Sequence, residues 1–260
     1  MQDIKSKRRK HESKFMRKVV AIIEARMSSE RLPGKVLLDI AGKPSLQHLI
    51  ERLQKAKKLS EIVIATTINK KDDSIVKFAE DFGIRFYRGS EEDVLERVVK
   101  AAESVRADII VEVTGDCPLL CPEVIEQALG IYLSGDYDVV ANVRELSYPQ
   151  GVDVQVFSYE KLKDISEKTN DPAHREHVSL YFYEKPEKYR ICHLEAPAEF
   201  HAPHLRFQLD YEEDLRFIRE IYEALYKEKA DFNLKDIFEL LKKRPELEHI
   251  NSHMREKSVR

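Results

Sequence analysis

A group of cationic and hydroxyl side chains follows the first strongly apolar run of the chain, VVAII. Residues 26–35 carry three basic side chains, two serines and a glycine, namely Arg26, Ser28, Ser29, Arg31, Gly34 and Lys35. Arginine and lysine neutralise phosphate charge, while hydroxyls and backbone N–H groups add neutral donors. With the backbone of Ala25, this loop could surround the phosphates of a nucleotide, although a solvated basic loop would have the same composition. The glycine-rich motifs G-x-x-x-x-G-K-[ST] and G-x-G-x-x-G are absent from the sequence.

Two aspartates follow apolar runs and could bind a divalent cation. Asp116 comes directly after Gly115 in VTGDCPLL, and Asp210 ends the run LRFQLD. Each could instead cap the helix that follows it. Two carboxylates beside a polyphosphate are suitable ligands for Mg²⁺. The sequence therefore predicts that Asp116 and Asp210 converge on a magnesium ion and that the basic loop lies close to them.

Further candidate residues follow later apolar runs. The segment RGSEEDVLERV places Arg88, Gly89 and Ser90 where they could line a nucleotide, and Ser90 is also the predicted N-cap of the next helix. The remaining candidates lie in YPQGVDVQVF and DPAHREHVS and could contact an anionic acceptor: Gly151, Asp153, Arg175, Glu176 and His177. A turn would explain any one of the glycines, and a metal cluster is the alternative for the His-rich segment, although adjacent helical residues point in different directions.

Alternating apolar runs and amphipathic segments predict the elements that carry these residues. Strands are predicted at 18–25, 61–67, IRFYRG, DIIVEVTGD and 138–143, and helices at 45–58, 73–83, 92–105 and 122–133. Continuous apolar strands that alternate with helices are typical of a parallel sheet covered on both faces. Right-handed crossovers place the carboxyl ends of such strands at one edge, where ligands bind.

The pattern changes after residue 143. Strands are predicted at 151–158, RICHLEA and LRFQLD, with a helix in HREHVSLYFYEKPEKY and two closing helices in EEDLRFIREIYEALYKE and LKDIFELLKKRPE. We interpret residues 16–260 as one α/β domain, a mostly parallel sheet whose segment 143–205 is a late antiparallel excursion. Residues 1–15 precede it as a basic, flexible arm.

Composition narrows the classes of function. The net charge of −3 argues against global binding of nucleic acid, and no apolar run approaches the length of a membrane span. The start of the chain lacks an apolar secretion segment, so a cytoplasmic enzyme is expected, with no nucleic-acid or membrane partner. Three cysteines without a second Cys/His pair at metal spacing argue against a structural zinc site.

Several motifs, taken together, resemble one known family. The opening run IIEARMSSERLPGKVLLDIAGKP is similar to the signature of sugar nucleotidyltransferases, especially the CMP-activating enzymes of acidic sugars. TGDCPLL, RGSEEDVLERV, YPQGVDVQVFS, REHVSLYFYEKP and LRFQLDYEEDL more closely resemble the cytidylyltransferase family typified by the spore-coat polysaccharide biosynthesis protein F. The resemblance runs in order from Val19 to Ile221.

This resemblance implies a fold, a reaction and residue roles. The fold would be a Rossmann-like α/β/α sandwich of the nucleotide-diphospho-sugar transferase type. The first loop would hold the triphosphate of CTP, with Arg31 and Lys35 stabilising the departing pyrophosphate, and Mg²⁺ would lie on Asp116 and Asp210. Ser90 and its neighbours would lie near the base.

The resemblance also implies partners. The acceptor would be a sugar, a sugar phosphate or a related anionic molecule of surface polysaccharide or glycoconjugate synthesis, faced by Asp153, Arg175, Glu176 and His177. The segments that would contact it differ from those of CMP-sialate and CMP-ketodeoxyoctonate synthetases, so those acceptors are not expected. Relatives pair through the late β excursion, which implies a homodimer.

Two other functions stay open at this level. A glycosyltransferase of similar fold would need a D-x-D motif at a strand end, whereas Asp136 and Asp138 in GDYD precede their predicted strand. A non-enzymatic protein could bind nucleotide or use the basic arm to bind nucleic acid, in which case binding would weaken with salt.

Overall fold

The structure is a computed structural model, and it describes residues 17–254. The basic arm predicted at 1–15 therefore lies outside the described residues. The strands are β1 Val19–Glu24, β2 Asp39–Ile40, β3 Lys43–Pro44, β4 Glu61–Thr67, β5 Arg85–Gly89, β6 Ile109–Thr114, β7 Val139–Ala141, β8 Gln155–Ser158 and β9 Ile191–His193. The α-helices are α1 Ser45–Leu53, α2 Asp73–Asp81, α3 Val94–Ser104, α4 Pro122–Leu133, α5 Tyr159–Lys168, α6 Pro172–Glu176, α7 Leu180–Glu184, α8 Glu212–Leu225 and α9 Leu234–Lys243.

Seven of the strands form one sheet in the order β5-β4-β1-β6-β8-β7-β9. The first four of these are parallel, whereas β8 runs antiparallel to both β6 and β7. A small hairpin of β2 and β3 forms a second sheet. The predicted parallel sheet with a late antiparallel excursion is confirmed.

Helices cover both faces of the large sheet because its central strands are apolar on both sides. Alternate residues of β1 point to opposite faces: Ile23 joins the core under α1, α2, α4 and α8, while Ile22 joins the core under α3, α5 and α7. Both side chains are fully buried. Such two-sided burial keeps the central strands rigid, so the residues at their carboxyl ends have fixed positions.

The sequence predictions fail mainly in the second half of the chain. Residues of LRFQLD form no strand; Arg206 makes only an isolated bridge with Gln150, and the segment is held by loop hydrogen bonds. The helix predicted in HREHVSLYFYEKPEKY is two short helices, α6 and α7, and α5 was not predicted. Ser90 is not the N-cap of α3, because Asp93 accepts from the N–H of Glu96 there.

Candidate active site

A cleft of about 520 Å³ opens at the carboxyl ends of β1 and β6. The sheet topology brings ten of the predicted residues to its wall although they come from separate segments of the chain. They are Ala25, Arg26, Ser29, Arg31, Lys35, Gly115, Asp116, Glu176, His177 and Asp210.

The Lys35 ammonium joins the two predicted metal-binding aspartates. Its Nζ contacts Asp116 Oδ2 and lies 2.7 Å from Asp210 Oδ1. Arg31 also reaches Asp210 Oδ1, at 2.6 Å. Two carboxylates and two cations from three distant segments thus share one wall of the cleft, and both carboxylates are nearly buried.

Mutual attraction fixes the charge states in this cluster. Burial by itself would lower the pKa of Lys35, but the carboxylates of Asp116 and Asp210 outweigh it and raise that pKa above its ordinary value. Burial would likewise raise the pKa of Asp210, but Lys35 and Arg31 lower it. The lysine is therefore cationic and Asp210 anionic at neutral pH.

A second buried arginine holds Asp210 from the protein side. Arg206 lies 2.6 Å from Asp210 Oδ2 and donates to Asp214, which also accepts from the backbone N–H groups of Asp210 and Tyr211. The guanidinium carbons of Arg31 and Arg206 lie 5.2 and 5.7 Å from the centre of the Tyr211 ring. Asp210 is therefore rigid, and α8 begins at Glu212 with Tyr211 as its N-cap.

The sequence analysis did not predict that Arg206 and Asp214 hold Asp210. The signal in the sequence was the regular spacing of Arg206, Asp210 and Asp214, which lie four residues apart.

The segment that carries Asp210 is anchored through Gly151. This glycine has a φ of +93°, and a Cβ there would lie 2.5 Å from the backbone nitrogen of Gln208. The Leu209 N–H in turn donates to the Asp116 carbonyl oxygen at 2.8 Å. Gly151 thus allows the backbone approach that sets Asp210 beside Asp116, and it is not one of the residues on the cleft wall. Asp153 accepts from the Gly151 N–H and is likewise not one of them.

Ser28 and Gly34 stabilise the first loop instead of lining the cleft. The Ser28 hydroxyl donates to Glu91, and the Gly34 N–H donates to the Met27 carbonyl oxygen at 3.0 Å. Buried Asp72 accepts from the Met27 N–H at 2.7 Å. These contacts tie the loop to the segments after β4 and β5 and thereby present Arg31 and Lys35 to the cleft.

Arg88 and Arg175 are occupied away from the cleft wall. Arg88 donates to the backbone after β4 and pairs with Asp73 at 2.7 Å. Arg175 pairs with Asp93 and donates to the carbonyl oxygen of Ser166. Both arginines connect neighbouring elements in this structure.

Gly89 and Ser90 also lie off the cleft wall. Gly89 ends β5, and Ser90 Oγ accepts from the Asp93 N–H. None of the predicted residues Arg88, Gly89 and Ser90 therefore lines the cleft.

Seven residues of the cleft wall escaped the sequence analysis, and two of them form a pair of opposite charges. Glu24, the last residue of β1, and Arg97 of α3 both line the cleft. The available signal was an acid inside an apolar strand, which occurs twice, at Glu24 in VVAIIE and at Glu112 in IIVEVT.

Comparison with known proteins identifies the family. The sequence profile of the cytidylyltransferase family matches residues 20–240. The chain belongs to the cytidylyltransferase family. It is therefore a nucleotidyltransferase, which confirms the expected reaction class over the glycosyltransferase and non-enzymatic alternatives.

Individual relatives agree with this assignment. The chain is 34% identical to the spore coat polysaccharide biosynthesis protein SpsF of Bacillus subtilis over 238 residues, which span 89% of this chain and 97% of that protein. A 3-deoxy-manno-octulosonate cytidylyltransferase of Geobacter sulfurreducens is 43% identical over 113 residues, 43% of this chain and 44% of that one. A cytidylyltransferase structure from Leptospira borgpetersenii superposes with a TM-score of 0.84 at 28% identity, over 93% of this chain and all of that one.

The D-x-D pair behind the glycosyltransferase alternative lies elsewhere. Asp138 accepts from the backbone N–H of Arg190 and pairs with Lys161, and neither Asp136 nor Asp138 is on the cleft wall. Within residues 17–254, no helix combines the length and apolar character needed to cross a bilayer.

Proposed function

We propose that this cytidylyltransferase transfers the CMP group of CTP to an oxygen of an anionic acceptor, a sugar, sugar phosphate or related molecule, and releases pyrophosphate. The acceptor oxygen attacks the α-phosphorus as the bond to the β-phosphate breaks. Such a reaction needs mainly positioning and neutralisation of negative charge. The main support for this proposal is that two cations and two carboxylates converge at one wall of the cleft: Arg31, Lys35, Asp116 and Asp210.

In this mechanism the two cations bind the leaving group. The Arg31 side chain is about one-third exposed and lines the cleft, so it would exchange its contact with Asp210 for a contact with a phosphate. Lys35 is held more tightly, but it faces the same cleft and can exchange a carboxylate contact for a phosphate contact. Both would neutralise the charge that grows on pyrophosphate as it departs.

The residues fit a bound Mg²⁺. Asp116 and Asp210 already hold one cation between them, the Lys35 ammonium, so their oxygens converge on one position. Between residues 17 and 254 no group of three or more His, Cys, Asp and Glu is arranged to hold a metal. Mg²⁺ typically binds through one or two carboxylates together with substrate phosphates and water, which matches a pair. Held by Asp116 and Asp210, the ion would supply positive charge that stabilises the phosphates.

Glu176 and His177 are our candidates for contact with the acceptor. They lie at the C-terminal end of α6, a short helix of the late excursion, and both line the cleft. Since the first loop and the aspartates take the phosphates, these side chains would orient the attacking oxygen. The relatives that make CMP-activated sugar acids support a sugar-like acceptor.

The late excursion also supports the proposed homodimer. Its last strand, β9, forms one edge of the large sheet and is only half-buried. An uncovered edge offers unpaired backbone groups to a second copy. Light scattering after size exclusion tests this: a mass of twice 30.4 kDa is expected, and a monomer at micromolar concentration would contradict it.

A screen for pyrophosphate release tests the reaction. It crosses CTP, UTP, GTP and ATP with sugar phosphates, acidic sugars and phosphonates, each with and without Mg²⁺. We expect release from CTP that needs both Mg²⁺ and one class of acceptor. Asp116→Ala should abolish it, while Arg88→Ala, a matched change outside the cleft, should leave the KM for CTP unchanged. Release from CTP at a normal rate by Asp116→Ala would refute the metal assignment.

A further inference from the structure

Two glutamates with raised pKa values lie beneath the cleft. Glu24 on β1 and Glu112 on the neighbouring strand β6 point to the same face of the sheet, and their carboxyl groups interact. The oxygens Glu24 Oε1 and Glu112 Oε2 are buried and have no hydrogen-bond partner. Two neighbouring buried carboxyl groups do not both ionise readily, so the pair holds at least one proton at neutral pH.

Glu24 is the member of the pair that ionises more readily. Burial and the nearby carboxylate of Glu24 raise the pKa of Glu112 well above its usual value, while burial, opposed by Arg97, raises the pKa of Glu24 only to about 7. Glu112 is therefore the protonated partner. Glu24 alone of the two lines the cleft.

Arg97 is the cation that lowers the pKa of Glu24. Its side chain is 3% exposed, yet it lines the cleft, and its Nε has no hydrogen-bond partner. Its Nη1 donates to the backbone carbonyl oxygen of Ser90, which fixes the guanidinium. Gly89 makes room for it, because a Cβ there would lie 3.0 Å from Arg97 Cγ. The charges of Glu24 and Arg97 attract each other, although these two side chains do not form an ion pair within residues 17–254.

We propose that Glu24 recognises the base of the bound nucleotide by accepting from the cytosine amino group, while the buried Arg97 guanidinium favours the negative charge of Glu24. This deepens the proposed function and rests on it. Residues Arg31 and Lys35 occupy the phosphate end of the first loop, and Glu24 immediately precedes that loop. Val94, buried and on the same wall, gives the ring an apolar surface.

The arrangement of donor and acceptor favours cytosine over uracil. Cytosine carries an exocyclic amino donor beside a ring nitrogen that accepts, and a glutamate that accepts from this amino group is a known mode of readout. Uracil carries a carbonyl oxygen in place of the amino group and would face the Glu24 carboxylate with an acceptor. Two acceptors facing each other in a buried site leave both unsatisfied, which is costly.

Calorimetric titration of the full chain with CTP and with UTP, each in Mg²⁺, tests the proposal without an acceptor. For the wild-type protein we expect a Kd for CTP about tenfold to a hundredfold lower than for UTP. The amide of Glu24→Gln can donate as well as accept, so the ratio of the Kd for UTP to the Kd for CTP should fall to about threefold or less in this variant. Glu30→Gln removes a carboxylate from the same cleft wall and should keep the wild-type ratio.

The outcomes separate this inference from the proposed function. A wild-type protein that binds CTP and UTP equally, or a Glu24→Gln variant that keeps the wild-type ratio, overturns the role of Glu24 in reading the base. A wild-type protein that binds a purine triphosphate and neither pyrimidine overturns the proposed function itself. Circular dichroism of Glu24→Gln checks that a lost preference comes from a folded variant.

Discussion

The two aspartates of the cleft should be equal in catalysis but unequal in stability. Each supplies one carboxylate to the proposed Mg²⁺, so Asp116→Asn and Asp210→Asn should each lower the rate of pyrophosphate release about 10²–10³-fold. Their structural surroundings differ, because among residues 17–254 Asp116 forms an ion pair with Lys35 alone, whereas Asp210 pairs with Lys35, Arg31 and Arg206.

These contacts set the size of the stability difference. In Asp116→Asn, Lys35 keeps Asp210 at 2.7 Å, so no buried charge loses its last partner. We expect a cost of about 1 kcal/mol, the value of one charge-assisted contact partly replaced by the amide. In Asp210→Asn three ion pairs weaken together at a side chain that is 1% exposed, and we expect about 3 kcal/mol or more.

Thermal unfolding and kinetics measure the two effects separately. A cost of 1 kcal/mol lowers Tm by about 2–4 °C in a chain of this size, so the Tm of Asp210→Asn should lie about 6 °C or more below that of the wild type. Equal losses of Tm in the two variants would show that Lys35 depends on Asp116 as much as on Asp210. A large difference in their residual activities at a temperature where both are folded would show that the carboxylates do not act as a pair.

Three further predictions follow from the same structure. The pKa of Glu24 is raised from 4.5 to about 7, so between these pH values the native state keeps a proton that the unfolded chain has lost. The free energy of unfolding should therefore fall by up to about 3 kcal/mol as the pH rises from about 4.5 to about 7. Burial also raises the pKa of Glu112, so Glu112→Gln removes a second group that the fold keeps protonated, and its urea midpoint should change less than the wild-type midpoint between about pH 5 and about pH 8; identical pH profiles would contradict the raised pKa of Glu112. Gly151→Ala should cost about 2 kcal/mol or more and lower pyrophosphate release, because its Cβ would displace Gln208 from beside Asp116, and an unchanged Tm would disprove this anchoring role. Removal of divalent ions with EDTA should stop pyrophosphate release and Mg²⁺ should restore it, whereas activity that persists in EDTA would refute the need for a metal at Asp116 and Asp210.

The amino-acid sequence alone determined the elements of the first half and the chemical character of the site. The strand at Glu61–Thr67 and the helix at Pro122–Leu133 have the predicted boundaries, because long apolar runs with clear turns leave a segment little choice of structure. The sequence also showed the cationic loop after β1 and the aspartate after β6 as candidate site residues. This was possible because residues at the carboxyl ends of parallel strands meet at one edge of the sheet.

Only the tertiary structure decided which of these residues meet and which support them. The segment before Asp210 has no regular structure, and its place depends on Gly151 and on the hydrogen bond of Leu209 to Asp116. Arg88 and Arg175 have the right chemistry for a phosphate, but neighbouring carbonyls and carboxylates in the fold already bind them. A local sequence pattern determines how its own segment folds. The ion-pair partner of a residue distant in the chain depends on how the segments pack together, and a local pattern gives no information about that packing.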